Sequence, residues 1–297
     1  MNWDDVRIFL AVARKGQILA AAKALGLNHA TVARRITALE HDLGSSLLRR
    51  RPNGSELTTQ GERFLSHAET MESASLAARE AAGADSAIEG TVRVGAPDGF
   101  GVGFLAPRLG ELADRHPDLL VELVPVPRSF SLSRREADIA ITLERPREGR
   151  LVARKLTDYQ LGLYAAPCYL ERHGVPVVAA DLATHRLVGY VEDLIYTPSL
   201  DYTAAFSKDW RTSLAISSAI GQAQAIRAGA GIGILHTFMA HSDPNLKSVL
   251  PELTLGRAYW TVMHEDIRNL RRMAVVSEFL SEIAARDRAV LAGKSSG

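Results

Sequence analysis

The sequence predicts an α/β protein with an N-terminal winged helix-turn-helix, a long linker helix and a larger domain of two lobes. Residues 17–43 contain two short helical patterns joined by a three-residue break. Residues 59–82 form a helical stretch that has no proline. From residue 91 onward, apolar runs with strand character alternate with helical segments, which is typical of α/β domains.

Composition and charge distribution support this division. A chain of 297 residues is long enough for two or three domains, and its 46% hydrophobic content is sufficient to form their cores. Residues 1–65 hold ten Lys or Arg and six Asp or Glu, so this part has a net charge of +4 while the remainder has −3. A basic module joined to a mildly acidic body favours a DNA-binding head with a separate partner domain.

Several classes of protein are disfavoured by the residues that the chain lacks. Cys168 is the single cysteine, which excludes an internal disulfide and argues against a cysteine-based zinc site. The nine histidines include no HExxH pair, and no catalytic set or cofactor motif can be argued. No apolar run approaches the roughly 18 residues that span a bilayer, and the first residues, MNWDDVRIF, are acidic where a signal peptide is basic. We therefore expect a cytoplasmic protein without catalytic residues, metal, cofactor or membrane contact.

The helix-turn-helix is predicted from three helices over residues 3–14, 18–25 and 29–43. One stripe of the third helix is apolar and would face the core, and the other face carries small, polar or positive side chains. A helix of this kind fits the major groove of B-DNA, which is about 12 Å wide. The apolar stripe consists of Val32, Ile36, Leu39 and Leu43, and the other face of Ala30, Ala33, Arg34 and Thr37.

A basic turn follows the third helix. Arg49, Arg50 and Arg51 precede Pro52-Asn53-Gly54, which is a strong turn signal flanked by apolar residues. This pattern predicts a small hairpin, the wing, with its arginines near DNA phosphates. The alternative is a run of solvated charges on an ordinary surface.

The stretch 59–82 predicts one long helix with a weak seam. Small or apolar residues recur on it with alternating steps of four and three, the spacing of a coiled coil. We interpret this face as a dimer contact, and the alternative is a globular surface helix. Residues 83–90 are a candidate hinge. The seam residues are Phe64, Ala68, Met71, Ser75, Ala78 and Ala82.

The remaining residues predict an α/β domain with a largely parallel sheet. Strands are expected at 91–96, 119–125, 137–143, 151–156, 161–166, 187–191, 212–216, 231–235 and 259–264. Helices are expected at 102–115, 167–173, 218–228 and 268–292.

Glycines at positions 99, 101 and 103 follow the first of these strands. The full phosphate-loop motif is absent, so nucleotide binding is disfavoured. A milder interpretation is a helix N-terminus whose free N–H groups suit a carboxylate ligand. Asp98 could cap those groups itself and repel an acid, which leaves the charge of the ligand open. For the second set, Gly229, Gly231 and Gly233, close backbone packing is the favoured interpretation.

The whole chain resembles the LysR-type transcriptional regulators, most closely over residues 3–66. The phrases that carry the resemblance there are FLAVARKGQ, AAAKALGLN, TVARRITALEHDLGSSLLRR and LTTQGERFL. Weaker matches follow in TVRVGAPDGFG, EADIAITLERP, LGLYAAPCYLERHG and IRAGAGIGIL. The family commonly has Ser, Gln and Pro ahead of the recognition helix, where this chain has Asn28, His29 and Ala30, and Ala33 replaces a family Ser. The operator preference of other members therefore does not carry over, although Asn28 can still cap the helix.

The resemblance implies a set of binding residues and a domain plan. DNA contacts are expected at Asn28, His29, Ala30, Thr31, Ala33, Arg34, Arg35, Arg50 and Arg51. Effector contacts are expected at Asp98, Gly99, Phe100, Arg128, Ser129, Phe130, Thr142, Tyr196 and Ser218. The domains are a winged helix-turn-helix (1–58), a linker helix with hinge (59–90) and a periplasmic-binding-protein-like effector domain (91–297), divided into lobe I (91–161 and 267–297) and lobe II (162–266).

The resemblance thus predicts a DNA-binding regulator that acts as a homodimer or homotetramer. A small-molecule effector of unknown identity would bind between the lobes and change operator bending or contact with RNA polymerase. A solute-binding or enzymatic α/β protein is the main alternative, and an architectural DNA-bending protein is the second. An architectural DNA-bending protein does not require an additional α/β domain of about 200 residues.

Overall fold

The computed structural model describes most of the chain, which falls into two compact units, one within residues 1–81 and one within residues 88–293. Pro52 and Asn53 of the predicted turn and residues 82–87 of the predicted hinge lie outside the described residues. The described ranges are 1–51, 54–81, 88–126, 136–146, 150–241, 243–268 and 270–293.

The first unit has three helices, a two-stranded hairpin and the long helix, as the sequence predicts. Gly26, between the second and third helices, has a φ of +63°, a left-handed conformation that glycine adopts without strain. The hairpin is antiparallel and pairs Leu48 with Leu57. The elements are α1 (Trp3–Lys15), α2 (Ile18–Leu25), α3 (His29–Leu43), β1 (Leu48–Arg51), β2 (Gly54–Leu57) and α4 (Thr59–Ala81).

The long helix α4 contributes to the core of this unit. The ring of Phe64 meets that of Phe9 edge to face, with centroids 5.1 Å apart. Ala68 is fully buried, and Met71 packs against the same cluster. The first half of the predicted dimer seam thus also packs against the core of its own unit, with Phe64 and Met71 partly buried and Ala68 fully buried. Of the other seam residues, Ser75 is partly exposed, Ala78 is exposed and Ala82 lies outside the described residues.

The second unit is built on a single eight-stranded sheet with the strand order β4-β3-β5-β10-β6-β9-β7-β8. Its strands are β3 (Gly90–Ala96), β4 (Leu119–Pro125), β5 (Ile139–Thr142), β6 (Leu151–Ala165), β7 (Leu187–Gly189), β8 (Thr212–Ala215), β9 (Ile232–His236) and β10 (Lys247–His264). Its α-helices are α5 (Asp98–Phe100), α6 (Leu109–Arg115), α7 (Pro167–His173), α8 (Ala219–Arg227), α9 (Thr237–Ala240), α10 (Arg271–Arg286) and α11 (Arg288–Leu291).

The sheet is mixed, so the expectation of a largely parallel sheet holds for the two outer groups of strands and not for its centre. Strands β3, β4 and β5 pair in parallel at one side, and β7, β8 and β9 do so at the other. Two long strands, β6 and β10, run antiparallel to their neighbours between these groups. The carboxyl end of β10 pairs with β5, and the carboxyl end of β6 pairs with β9. These two strands therefore join the two halves of the sheet.

Both long strands were underestimated from the sequence. Separate strands were predicted at 151–156 and 161–166, but β6 continues through residues 157–160 as one strand. Strand β10 was predicted over 259–264 and begins at Lys247. It passes Pro251 at a register shift between Val249 and Thr254, because a bulge tolerates a residue that cannot donate to the ladder.

The predicted helix over 102–115 is a composite of short turns. Residues 98–100 are α-helical, 101–105 form a π-helical turn, 106–108 form a 3₁₀ turn, and α6 follows. Gly101 is packed so closely that a Cβ there would lie 2.8 Å from the Cβ of Pro125. The second glycine of this motif thus serves close packing within the domain.

Candidate nucleic-acid interface and effector site

The inner face of α3 is fixed by burial. Val32 and Leu39 have no exposed surface, and Ile36 is 5% exposed. At the start of the helix, the side chain of Asn28 accepts a hydrogen bond of 2.9 Å from the backbone N–H of Ala30. This confirms the predicted cap, which satisfies one of the free N–H groups of the first turn.

A second set of contacts joins α3 to the wing. The carboxylate of Glu40 accepts hydrogen bonds from the backbone N–H groups of Leu47 and Leu48 at 2.7 and 3.0 Å. At the other strand, the N–H of Ser55 donates to the carbonyl oxygen of Gly16 at 2.7 Å. Hydrogen bonds to a carboxylate are stronger than those between neutral groups. The hairpin therefore has a defined position relative to α3.

The outer face of α3 is open to solvent. His29, Ala30 and Arg34 are exposed, and Thr31 and Ala33 are partly exposed. Within the described part of the chain, Arg34 makes no hydrogen bond or ion pair. A free guanidinium beside small side chains can approach a base edge without first breaking an internal contact.

The neighbouring Arg35 has a different environment. Its Nε donates to Oδ1 of Asp5 on α1, and its Nη2 lies 3.7 Å from Oδ2 of Asp4. The side chains of Arg35 and Asp5 are 30% and 12% exposed. The expectation that Arg35 contacts phosphate is not supported by this geometry, because its guanidinium joins α3 to α1.

We expect the Arg35→Ala variant to lower the free energy of unfolding of the first unit by about 1.5–3 kcal/mol, the usual contribution of a hydrogen bond to a charged group. Thermal or urea melting would measure this. Arg7→Ala is the matched control, because its pair with Asp4 is half exposed on both sides and contributes little. Equal stability of the two variants would contradict a structural role for Arg35.

The wing carries three consecutive arginines on β1. Arg49 is exposed and has no partner in the described part of the chain. The backbone of Arg50 pairs with Ser55, and its side chain lies outside the described residues. Nε of Arg51 donates to Glu56 at 2.8 Å, and both side chains are about half exposed. An exposed pair of this kind is weak, so Arg51 can exchange Glu56 for a phosphate.

In the second unit, the structure brings together Asp98 and Ser218, two of the predicted effector contacts. Oδ2 of Asp98 accepts a hydrogen bond of 2.6 Å from the hydroxyl of Ser218 and a longer one of 3.4 Å from the N–H of Ile220. The hydroxyl of Ser218 also accepts from the N–H of Gly221 at 3.1 Å. Asp98 thus binds the N-terminus of α8, rather than the helix that it begins.

The next two predicted residues pack beneath this contact. A Cβ at Gly99 would lie 3.0 Å from the Cβ of Ala219 and from Cε1 of His236, so the glycine allows close approach to α8. Phe100 has no exposed surface, and its ring centroid lies 4.2 Å from that of Tyr259. The Phe100 side chain therefore belongs to the core and is not available to a ligand in this conformation.

The other predicted effector contacts are dispersed. The hydroxyl of Thr142 donates to the carbonyl oxygen of Glu144 at 2.7 Å. The carboxylate of Glu144 in turn accepts from the hydroxyls of Thr197 and Ser199 at 2.6 and 2.8 Å. Thr142 thus lies beside a link between the end of β5 and residues 197–199. Arg128, Ser129 and Phe130 lie outside the described residues.

The charge of Asp98 acts on three tyrosines, of which Tyr196 is among the predicted effector contacts and Tyr190 and Tyr202 are not. Burial, followed by the charge of Asp98, raises the pKa of Tyr190 to about 12. Burial also raises the pKa values of Tyr196 and Tyr202, and Asp98 adds to both shifts. The three tyrosines are spaced six residues apart in the sequence. All three hydroxyls are neutral at physiological pH.

His236 lies among aromatic rings next to this site. Its ring stacks on Tyr159 with centroids 5.3 Å apart, and Tyr159 stacks on Tyr259 at 4.1 Å. Burial lowers the pKa of His236 to about 4, against an opposing effect of Asp98. The imidazole is therefore neutral at physiological pH.

No group of three or more His, Cys, Asp or Glu side chains among the described residues could hold a metal ion. No helix among them has the length and apolar character needed to cross a membrane.

Family models match both units of the chain. The model of bacterial regulatory helix-turn-helix proteins of the lysR family matches residues 3–62, and the LysR substrate binding domain matches residues 85–285. The chain belongs to the LysR family. A LysR-type protein is a DNA-binding transcriptional regulator with an effector-binding domain, and this chain is therefore a regulator and not an enzyme.

Named LysR-type relatives match most of the chain. The transcriptional activator TtdR of Escherichia coli K12 is 28% identical over 93% of this chain and 92% of its own length. The regulator CrgA of Neisseria meningitidis is 27% identical over 95% and 96%. A regulator of Xanthomonas campestris is 33% identical over 62% of this chain, which spans about half (54%) of that relative.

Solved structures of LysR-type regulators share the fold. CrgA of Neisseria meningitidis matches with 26% identity and a TM-score of 0.60, covering 95% of this chain and 98% of its own. OxyR of Pseudomonas aeruginosa, at 16% identity, matches with a TM-score of 0.74 over 100% and 98%, which shows the fold alone. These matches confirm the helix-turn-helix, linker helix and periplasmic-binding-protein-like domain.

Proposed function

We propose that this regulator recognises its operator by inserting α3 into the major groove, and that an effector bound in the second unit modulates this binding. One observation carries the first part. The inner face of α3 is buried while its outer face is exposed, and Arg34 on that face has no partner among the described residues. A recognition helix requires this combination of a fixed core side and an open polar side.

The side chains divide into two groups of DNA contacts. We assign base edges to His29, Ala30, Ala33 and Arg34, with Arg34 donating to O6 and N7 of a guanine. Thr31 and the wing arginines Arg50 and Arg51, together with Arg49, would bind phosphates, which fix the register without reading sequence. Asn28 acts through its cap on the helix.

The effector site is assigned to the contact between two lobes, lobe I (91–161 and 267–297) and lobe II (162–266). Asp98 follows β3 in the first, and Ser218 precedes α8 in the second, so their hydrogen bond joins the two lobes. The description of LysG from Corynebacterium glutamicum names arginine as its bound effector, at 19% identity to this chain. An effector shifts the equilibrium between arrangements only through its different affinities for them.

We further propose that the chain acts in the cytoplasm as a homodimer or homotetramer. A twofold operator requires two recognition helices related by symmetry. Effector binding would then change the spacing of the two heads, and with it the bending of the operator or contact with RNA polymerase.

Genomic footprinting of the bound protein, followed by salt titration on the recovered site, tests this function. We expect discrete protected sites and a log affinity that falls with log salt by about 0.9 for each phosphate contact. A random duplex of equal length is the control, and it should bind more weakly with a similar salt dependence. Absence of protected sites and an affinity independent of salt would overturn the proposal.

A further inference from the structure

Two acidic residues that follow neighbouring strands of the sheet connect lobe I to lobe II, as the lobes are assigned above. Asp98 follows β3 and accepts hydrogen bonds from the start of α8. Glu144 follows β5, which pairs in parallel with β3, and its carboxylate reaches residues 197–199. Both contacts therefore lie at the carboxyl ends of parallel strands in lobe I, and each crosses to lobe II.

Three donors of lobe II converge on one oxygen of Glu144. Its Oε1 accepts from the hydroxyl of Thr197 at 2.6 Å, from the hydroxyl of Ser199 at 2.8 Å and from the N–H of Ser199 at 3.0 Å. This N–H belongs to the first residues of the 3₁₀ turn Pro198–Leu200, where the turn itself provides no acceptor. The contact joins residues 53–55 positions apart, so it is a tertiary link and not part of a local turn.

The link at Glu144 is easier to break than the link at Asp98. The side chain of Glu144 is exposed, and Thr197 and Ser199 are partly exposed, so water can replace each of these hydrogen bonds. The hydrogen bond between Asp98 and Ser218 is partly buried, where a hydrogen bond is stronger and its loss costs more. Glu144 is therefore the contact whose state can change with modest energy.

The link at Glu144 also adjoins two of the predicted effector contacts. The hydroxyl of Thr142 donates to the carbonyl oxygen of Glu144 at 2.7 Å, and Tyr196 immediately precedes Thr197 in the chain. Hydrogen bonds tolerate only small changes in distance and angle. A ligand that displaces Thr142 or Tyr196 would therefore change the link between the lobes.

We propose that Glu144 is a latch, which holds Thr197 and Ser199 of lobe II at the end of β5 in lobe I, and that release of this latch transmits effector binding to the operator. This inference rests on the proposed function, in which the arrangement of the lobes alters the placement of the DNA-binding heads. The latch consists of residues of this chain alone. An effector shifts its equilibrium only through different affinities for the latched and released arrangements.

Hydrogen exchange of the full chain measures the latch directly, because the N–H of Ser199 is one of its donors. In the Glu144→Ala variant we expect exchange at residues 197–200 to rise by about tenfold or more, the factor that corresponds to the loss of a hydrogen bond to a charged group. Exchange at residues 218–222 should rise as well, because the contact with Asp98 crosses between the same two lobes. A residue that only caps the turn at 198–200 would change the first segment and not the second.

Two further variants and a matched control accompany this measurement. Glu192→Ala is the control, because Glu192 is exposed in the same segment of the chain and its side chain has no partner among the described residues. It should exchange like the parent protein. Glu144→Gln keeps an acceptor oxygen but lacks the charge, so its exchange should lie between those of the parent and Glu144→Ala. Thr197→Val removes one donor from lobe II and should add little to Glu144→Ala, since both changes break the same contact.

Unchanged exchange in β3 and β4 verifies that each variant is folded. If Glu144→Ala fails this criterion, Glu144→Gln and Thr197→Val provide the test, because each removes less of the contact. Equal exchange at 218–222 in the folded variants and the parent would overturn the proposal.

Operator bending, measured by gel shift with the footprinted site placed at different positions in the duplex, connects the latch to DNA. We expect Glu144→Ala to bend the operator by a different angle from the parent, and Glu192→Ala to bend it by the same angle. A parental bend angle in Glu144→Ala would overturn the proposal while the proposed function stands. If the parent protein itself binds no operator, the proposed function fails, and the exchange measurements separately decide whether Glu144 joins the lobes.

Discussion

The Arg34→Ala variant is expected to lose most of its discrimination between operator and random duplex. Arg34 is exposed on α3 and has no internal partner in the described part of the chain, so its removal leaves the core intact. A bidentate contact to guanine contributes about 1–3 kcal/mol, which corresponds to about 5- to 150-fold in the ratio of specific to nonspecific affinity. Binding to the operator and to a random duplex, both measured at one salt concentration, gives this ratio.

Two further variants make the result interpretable. Arg34→Lys keeps the charge but lacks the planar fork, so it should recover nonspecific affinity without full specificity. Arg49→Ala removes an exposed cation from the wing, and it should weaken binding to both duplexes by a similar factor. An unchanged ratio in Arg34→Ala would contradict the assignment of this residue to a base edge.

The Gly61→Ala variant is expected to unfold or severely destabilise the winged head. A Cβ at Gly61 would overlap the carbonyl oxygen of Leu47 and lie 3.2 Å from Cδ2 of Leu57. That carbonyl accepts the N–H of Thr58, whose hydroxyl in turn accepts the N–H of Gly61 at 2.9 Å. Because the obstacle is backbone, no rotamer change relieves it, and we expect a loss of about 3 kcal/mol or more.

The matched control for this change is Gly110→Ala. Gly110 lies in α6, and a Cβ there would meet no atom within 4 Å. Alanine is favoured over glycine in a helix by about 0.5–1 kcal/mol, so this variant should be as stable as the parent or more so. Chemical unfolding followed by circular dichroism compares the two, and a Gly61→Ala protein with parental stability and operator affinity would contradict the prediction.

The sequence was sufficient to predict most elements of the head but not the roles of adjacent residues. The resemblance implies a DNA contact for both Arg34 and Arg35. Successive positions on a helix differ by about 100°, which turns Arg35 toward α1. Its partner, Asp5, lies 30 residues away in sequence, and no local pattern indicates such a contact.

The second unit shows where periodicity is misleading. β6 was predicted as two strands, although a strand that is exposed on one side can carry polar residues such as Asp158. Pro251 concealed the first half of β10, because a bulge is not visible in the amino-acid pattern. Because β6 and β10 were each predicted too short, the sequence did not indicate that these two strands join the halves of the sheet.

Asp98 and Ser218 are both predicted effector contacts, and the hydrogen bond between them was not predicted from the sequence. Tyr190 and Tyr202 were not predicted, since isolated tyrosines in a loop carry no chemical signature without a neighbouring charge.

The two hydrogen bonds from the wing to Glu40 have a consequence for how such a regulator diversifies. They fix the hairpin to the buried side of α3, so the geometry of backbone contacts does not depend on the residues at positions 29, 30 and 33. Duplicated copies of the gene can therefore acquire new target promoters through changes at these positions, while folding and docking on the double helix are inherited unaltered.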